Sequence, residues 1–93
     1  MNDNSKKMFD YRLSVNGIFG RNRNPKRQSV RLVRSETQKT LDEVRPLAMA
    51  ALADLKPKAG LRWLIAEYPI EVGDGFESFM LYSETMLDQG QVE

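Results

Sequence analysis

The chain has 93 residues, a net charge of +1, no histidine and no cysteine, and its 41% apolar content suits one folded domain. Histidine and cysteine are the usual ligands of tetrahedral zinc sites and the usual bases and nucleophiles of catalytic triads. Without them, both kinds of site are almost excluded. No run of about 18 apolar residues is present, so no membrane span is expected. These absences predict a cytoplasmic, non-enzymatic protein with no catalytic residue, no metal and no cofactor.

The first predicted element is a strand. Residues 1–8 are polar and are expected to be a flexible N-terminal segment, ahead of a single domain at 9–93. Apolar and polar side chains then alternate, which predicts a half-buried strand with one face in the core. The residues of that core face are Phe9, Tyr11, Leu13 and Val15.

A long loop and a second strand follow. Gly20 to Arg27 reads GRNRNPKR, and its Gly, Asn and Pro residues indicate a loop. The next stretch, 28–34 or QSVRLVR, is rich in β-branched and apolar residues, which are typical of strands. The two strands therefore predict a hairpin with a basic tip.

A helix is predicted between Ser35 and Lys56. Two capping boxes compete for its start, Ser35 with Gln38 and Thr40 with Glu43. Pro46 would cost a helix interior about 3 kcal/mol, so a kink, or a regular helix starting near Asp42, is expected. The apolar face of the helix comprises Leu41, Val44, Ala48, Ala51, Leu52 and Leu55.

The last third of the chain predicts a buried strand and a terminal helix. Leu61–Ile70 is apolar on both faces, as in the middle of a sheet, and Pro69 is expected to close the strand. Residues 74–90 suit either helix or strand, and the helix is favoured because Asp74 and Glu77 resemble an N-cap and its partner. Trp63, Met49, Met80 and Met86 are expected in the core. The order β-β-α-β with a C-terminal α predicts an α+β fold, a small antiparallel sheet with one helix packed across it.

The charge is divided along the chain. Residues 1–34 carry nine basic residues against two acids, a net charge of +7, and residues 35–93 carry a net charge of −6. Such asymmetry indicates a charged partner. The alternative is that both surfaces are only solvated and that their opposite charges help the two halves dock.

The basic charge is densest from Gly20 to Ser35, which holds six basic residues and no acid. Arginine offers a planar fork that suits phosphate, lysine a mobile point charge, and asparagine can donate to phosphates or base edges. The predicted contacts to nucleic acid or another partner are Arg21, Asn22, Arg23, Asn24, Lys26, Arg27, Arg31 and Arg34. Arg12 is a possible extension of this patch, and Phe19 is the candidate for base stacking.

In its single short domain, its lack of a catalytic set, its β-β-α-β plan and its divided charge, the chain resembles the small phage-encoded anti-CRISPR proteins. The resemblance covers the architecture of the whole chain and no motif, so it assigns no site residue. It implies stoichiometric inhibition of a guide-RNA–protein complex, with the basic loop on guide-RNA phosphates and the acidic face on the basic protein channel.

We therefore predict a binding protein whose partner is nucleic acid, RNA rather than DNA, or a ribonucleoprotein complex that it inhibits. One alternative is an autonomous RNA- or DNA-binding regulator. Another is a protein-binding adaptor or subunit with no nucleic-acid contact. A homodimer is also open, because one helix on three strands leaves a sheet face uncovered.

Overall fold

The computed structural model describes residues 6–18, 25–73, 76–78 and 84–93. These residues form one antiparallel sheet and one helix, so the predicted α+β class is confirmed, as is the β-β-α-β order of the first four elements. The elements are β1 (Lys6–Ile18), β2 (Pro25–Ser35), α1 (Leu41–Leu55), β3 (Arg62–Gly73), β4 (Phe76–Ser78) and β5 (Thr85–Gln91).

The sheet has the order β2-β1-β3, and β4 and β5 both pair with the far side of β3. The strand predicted in the middle of the sheet therefore lies there, but it runs on to Gly73 instead of closing at Pro69. On that far side, β5 pairs with β3 as far as Glu67 and β4 begins its pairing at Glu71. Pro69, which has no N–H to donate, lies in the gap between these two partners.

The C-terminal helix predicted for residues 74–90 is wrong, because Phe76–Ser78 and Thr85–Gln91 are strands. The apolar spacing of this segment fits either structure. The free edge of β3 from Arg62 to Glu67 decides between them, since pairing with it satisfies backbone groups on both strands.

Both strands of the hairpin are longer than the sequence predicts. β1 begins at Lys6, within the segment 1–8 that was expected to be flexible, because its first residues pair with the end of β3. β2 begins at Pro25, which pairs with Ile18. Residues 19–24, which include most of the predicted basic loop, lie outside the described ranges.

The helix begins at Leu41 because Thr40 caps it, so the second predicted capping box is the one that forms. Thr40 Oγ1 accepts a hydrogen bond from the Glu43 N–H at 3.4 Å, and Glu43 Oε1 accepts one from the Thr40 N–H at 3.5 Å. The backbone N–H of Thr40 lowers the pKa of the Glu43 carboxyl. Pro46 lies inside the helix, and Lys56, in the left-handed region with φ of 49°, ends it.

The helix packs across one face of the sheet and uses the predicted apolar stripe. Val44 and Ala48 are fully buried, and burying a Val-sized side chain contributes about 1.5–3 kcal/mol. Met49 and Met86 are exposed, so their predicted core positions are wrong; Met80 lies outside the described residues. The buried core cluster comprises Tyr11, Leu13, Val15, Val44, Ala48, Trp63 and Ile65.

A buried polar network holds the segment that leads into the helix. The Tyr11 hydroxyl donates to Glu67 Oε1 at 2.7 Å and accepts from the Lys39 N–H at 2.6 Å. Gln38 Nε2 donates to Glu67 Oε2 at 3.2 Å. Burial raises the pKa of Tyr11 to about 12. The network joins β1 and β3 to the residues before α1 and leaves the buried hydroxyl fully paired.

We expect the fold to lose stability as the pH rises from about 10 to about 12. The Tyr11 pKa rises from 10.0 to about 12 on folding, so its stabilising contribution is complete below pH 10 and is lost as pH passes the folded value. Tyr11→Phe should cost roughly 1–3 kcal/mol at neutral pH, because partners in the network are left unsatisfied. Urea denaturation over this pH range tests both points. If the free energy of unfolding fell equally with pH in wild type and in Tyr11→Phe, the loss of stability would not come from Tyr11.

Gly90 in β5 lies opposite Trp63, and the absence of a side chain lets the indole pack against the strand. A Cβ at Gly90 would lie 2.5 Å from Trp63 Cζ2, so the ring or the strand would have to move. We expect Gly90→Ala to lower the free energy of unfolding by about 1–3 kcal/mol in urea denaturation. The exposed neighbour Gln89, changed to Ala, is the control and should shift it by less than about 0.5 kcal/mol. Equal effects of the two changes would rule out the packing explanation.

Candidate anion-binding face

The sheet face opposite α1 carries Arg12, Arg27, Arg31 and Arg34. Residues that lie directly opposite each other in an antiparallel pair point to the same face. We call this surface of the β1–β2 hairpin the arginine face. Its cross-strand pairs are Asp10 with Arg34, Arg12 with Arg31, Ser14 with Ser29, and Asn16 with Arg27.

A β-bulge in β2 places Arg31 and Arg34 on the same face. In a regular strand, residues three positions apart point to opposite sides. The register of β2 against β1 shifts at Leu32, which is the extra residue, and both Leu32 and Val33 pack against the core. The bulge therefore separates VRLVR into apolar side chains on one face and two arginines on the other.

Asp10 is fully buried on this face and has three arginines around its carboxylate. Arg12 Nε donates to Asp10 Oδ2 at 2.8 Å. Arg31 Nε lies 2.9 Å from Oδ1, an ion-pair distance at which the two groups are not aligned as a hydrogen bond. Arg34 Nε is 3.9 Å from the same oxygen. The carboxylate offsets one of the two positive charges of Arg12 and Arg31, so this pair keeps an excess of positive charge.

The outer ends of Arg12 and Arg31 reach solvent, since their side chains are 27% and 39% exposed. In the part of the chain that the structure describes, Asp10 is the polar partner of both. Each guanidinium binds the carboxylate through Nε and keeps its two Nη groups for another acceptor. Paired Nη donors match the oxygens of phosphate and carboxylate groups.

Arg27 forms a second, more exposed anion contact on the same face. Its Nη2 is 3.5 Å from Ser14 Oγ and 3.5 Å from Glu84 Oε2. The Tyr68 hydroxyl donates to the same Glu84 oxygen at 2.5 Å, and burial, with a further contribution from this carboxylate, raises the pKa of Tyr68. The Arg27 and Glu84 side chains are 54% and 40% exposed, so the ion pair contributes less than about 1 kcal/mol. A stronger anion could displace Glu84.

The structure brings several of the predicted contact residues together. Arg27, Arg31 and Arg34 share the arginine face with Arg12, which the sequence suggested only as an extension. Lys26 pairs through its backbone with Gly17 in the β1–β2 ladder. The predicted residues outside the described ranges are Phe19, Arg21, Asn22, Arg23 and Asn24.

Sequence reasoning missed Asp10, Ser14 and Glu84 as members of this face. The alternation in β1 held a usable signal for the first two, because it places Asp10 and Ser14 on the same side as Arg12. No such signal exists for Glu84, which lies far along the chain and reaches Arg27 only in the folded sheet.

Comparison of the chain with protein-family models, with curated proteins and with solved structures finds no match. Within the described ranges, no three acidic side chains lie close enough to hold a metal ion. No helix in those ranges has the length and apolar character needed to cross a membrane.

Proposed function

We propose that this protein is a non-enzymatic binder that docks on a nucleic-acid-containing target by contacting its phosphate groups with the arginine face. The observation that carries this proposal is the pair of arginines, Arg12 and Arg31, that share one buried carboxylate and present their outer ends to solvent. Charge-assisted contacts to phosphate are among the strongest that arginine makes. The basic loop adjoins this face in sequence and is proposed to extend the contact.

The neighbouring side chains favour the nucleic-acid backbone over the bases. Asn16 and Ser29 lie exposed on the face in ladder positions beside the arginines, and hydroxyl and amide groups commonly donate to phosphate oxygens. Tyr68, the aromatic residue that this face holds among the described residues, is buried and donates its hydroxyl to Glu84. It is poorly placed for base stacking, so we expect weak sequence preference.

A ribonucleoprotein complex would present such phosphates, and a small protein that covered them would inhibit the complex without doing chemistry. This is the mode of action that the resemblance to anti-CRISPR proteins implies, and the guide RNA of such a complex is a candidate target. The opposite layer fits a second contact to basic protein, because Asp42, Glu43 and Asp54 are exposed on α1. The preference for RNA over DNA stays a prediction.

The adaptor alternative has its own surface. A groove of about 500 Å³ lies between the end of α1 and the C-terminal strand, lined in part by Met49, Leu52, Trp63 and Val92. Met49 is exposed at this groove, and apolar surfaces that include methionine are common where proteins bind each other. This groove is on the other layer from the arginine face, so the two functions can be tested separately.

We expect binding to single-stranded RNA to weaken steeply with salt. About four ionic contacts give a slope near −3 in log K against log salt concentration. Fluorescence anisotropy should show loss of binding when Arg12, Arg27 and Arg31 are changed together to Gln. A loop variant with Arg21, Arg23, Lys26 and Arg27 changed to Gln measures how much the basic tip contributes to the RNA affinity.

The control for this experiment has Arg45, Lys56 and Lys58 changed to Gln, which removes the same charge from the other layer. Circular dichroism and thermal melting establish that each variant is folded. If the face variant and the control lost RNA affinity equally, net charge alone would explain the binding. A wild-type protein that binds neither RNA nor DNA but captures a ribonucleoprotein through the groove near Trp63 would overturn the proposal in favour of the adaptor.

Removing the carboxylate of Glu84 should strengthen binding. Glu84→Gln releases Arg27 from its ion pair, and an interaction of up to about 1 kcal/mol corresponds to roughly a 2- to 5-fold gain in affinity. Asp54→Asn removes an equal charge from the exposed side of α1 and is the matched control. The two variants should be compared by anisotropy at the same salt concentration. An equal gain in both would show that Glu84 does not compete for the phosphate at Arg27.

A further inference from the structure

We propose that Asp10, Arg12 and Arg31 form a preorganised site for a single phosphate group, with the two arginines as binding residues and Asp10 as the positioning residue. This inference rests on the proposed function and makes it more specific. A basic patch attracts any anion by charge, whereas this site would also require the guanidinium geometry that Asp10 maintains.

The Asp10 carboxylate is shared between Arg12 and Arg31. Each of its oxygens lies close to one Nε, at 2.8 Å for Arg12 and 2.9 Å for Arg31. Arg12 is held at Nε by a hydrogen bond and Arg31 at Nε by a close ion pair, and the Nη groups of each are left for a ligand. Arginine is a long, flexible side chain, and a ligand that meets it already ordered avoids the entropic cost of ordering it.

The charges of Asp10, Arg12 and Arg31 do not balance. Arg12 and Arg31 are direct cross-strand neighbours, and like charges in this position destabilise a sheet. Asp10 offsets one of the two positive charges of this pair. An anion at the Nη edges would neutralise the excess. One arginine would be enough to balance the charge of this carboxylate.

The ligand that fits is a phosphate group with at least two free oxygens, because each guanidinium edge binds oxygens in a planar fork. An internal phosphodiester of a strand offers two such oxygens and one negative charge. A terminal phosphomonoester offers three oxygens and a charge near −2 at neutral pH. Both share the same chemistry, and oligonucleotides with different ends separate them.

The decisive variants are Asp10→Asn and Arg31→Lys. Asp10→Asn removes a negative charge, so a simple basic patch would bind RNA more tightly, whereas a positioned site would bind it about 10-fold more weakly. Arg31→Lys preserves the charge, so the patch would be unaffected, whereas the planar fork would be lost with a similar weakening. For Asp10→Asn the two models predict opposite changes in RNA affinity. For Arg31→Lys one predicts no change and the other a loss.

The matched control is Arg45→Lys. Arg45 Nη2 pairs with Asp88 Oδ2 at 2.8 Å on the other layer of the fold, so the change has the same chemistry away from the site. Its RNA affinity should equal that of wild type. Thermal melting accompanies each measurement, and if Asp10→Asn does not fold, Arg31→Lys decides the question.

Two measurements are made on each protein. Anisotropy gives the affinity for one single-stranded RNA sequence prepared with a 5′-phosphate, with a 5′-hydroxyl and as a circle. NMR of the arginine Nε–H resonances during titration with inorganic phosphate shows which side chains respond. We expect shifts at Arg12 and Arg31 and none at Arg45. Tighter binding of the 5′-phosphorylated strand identifies a terminal phosphate as the ligand, and equal binding of all three identifies an internal phosphodiester.

The failures of this inference and of the proposed function are distinguishable. If Arg31→Lys and Asp10→Asn bind RNA as well as wild type while the Arg→Gln face variant does not, the site is overturned and the basic face stands. If wild type binds no RNA but inorganic phosphate shifts only Arg12 and Arg31, the site stands and the proposed function falls. If neither RNA nor phosphate binds, both are overturned.

Discussion

The alternation of side chains along β1 is the constraint on which the rest of the structure depends. β1 pairs with β2 on one side and with β3 on the other, so its two-residue period divides the whole sheet into two faces. Tyr11, Leu13 and Val15 point to the helix and are fully buried. Asp10 and its polar neighbours point the other way. A shift of one residue in register would exchange the two sets and remove both the core and the arginine face.

The two faces treat buried polar groups in opposite ways. Under the helix, the Tyr11 hydroxyl and the Glu67 carboxylate are joined by short hydrogen bonds to each other and to the backbone, and the network is complete within the chain. On the arginine face, the buried Asp10 carboxylate offsets only one of the two positive charges of Arg12 and Arg31. Fully paired networks stabilise a fold, whereas a cluster with excess charge and exposed outer ends is suited to bind something else.

The division of charge along the sequence corresponds to a division in space. The basic half forms the β1–β2 hairpin, and the acidic half forms the helix and the strands on the other side of the sheet. The two halves pack against each other through the apolar core. The ion pair between Arg27 and Glu84 links the two halves, and it is exposed and weak. The arginines thus lie on one face of the sheet, and the acids Asp42, Glu43 and Asp54 are exposed on the helix that covers the other.

The sequence by itself determined the features that depend on local pattern: the two faces of β1, the apolar stripe of α1 and the α+β class. These follow from periods of two and 3.6 residues, which need no knowledge of neighbours. Which of two capping boxes begins the helix depended on the tertiary structure, because Tyr11 holds the Lys39 N–H just before Thr40. The C-terminal segment became a strand because β3 offered it an open edge. The Asp10 site was likewise decided only by the fold, since a bulge in β2 had to bring Arg31 and Arg34 to one face, and pairing across strands had to place them on a carboxylate many residues away.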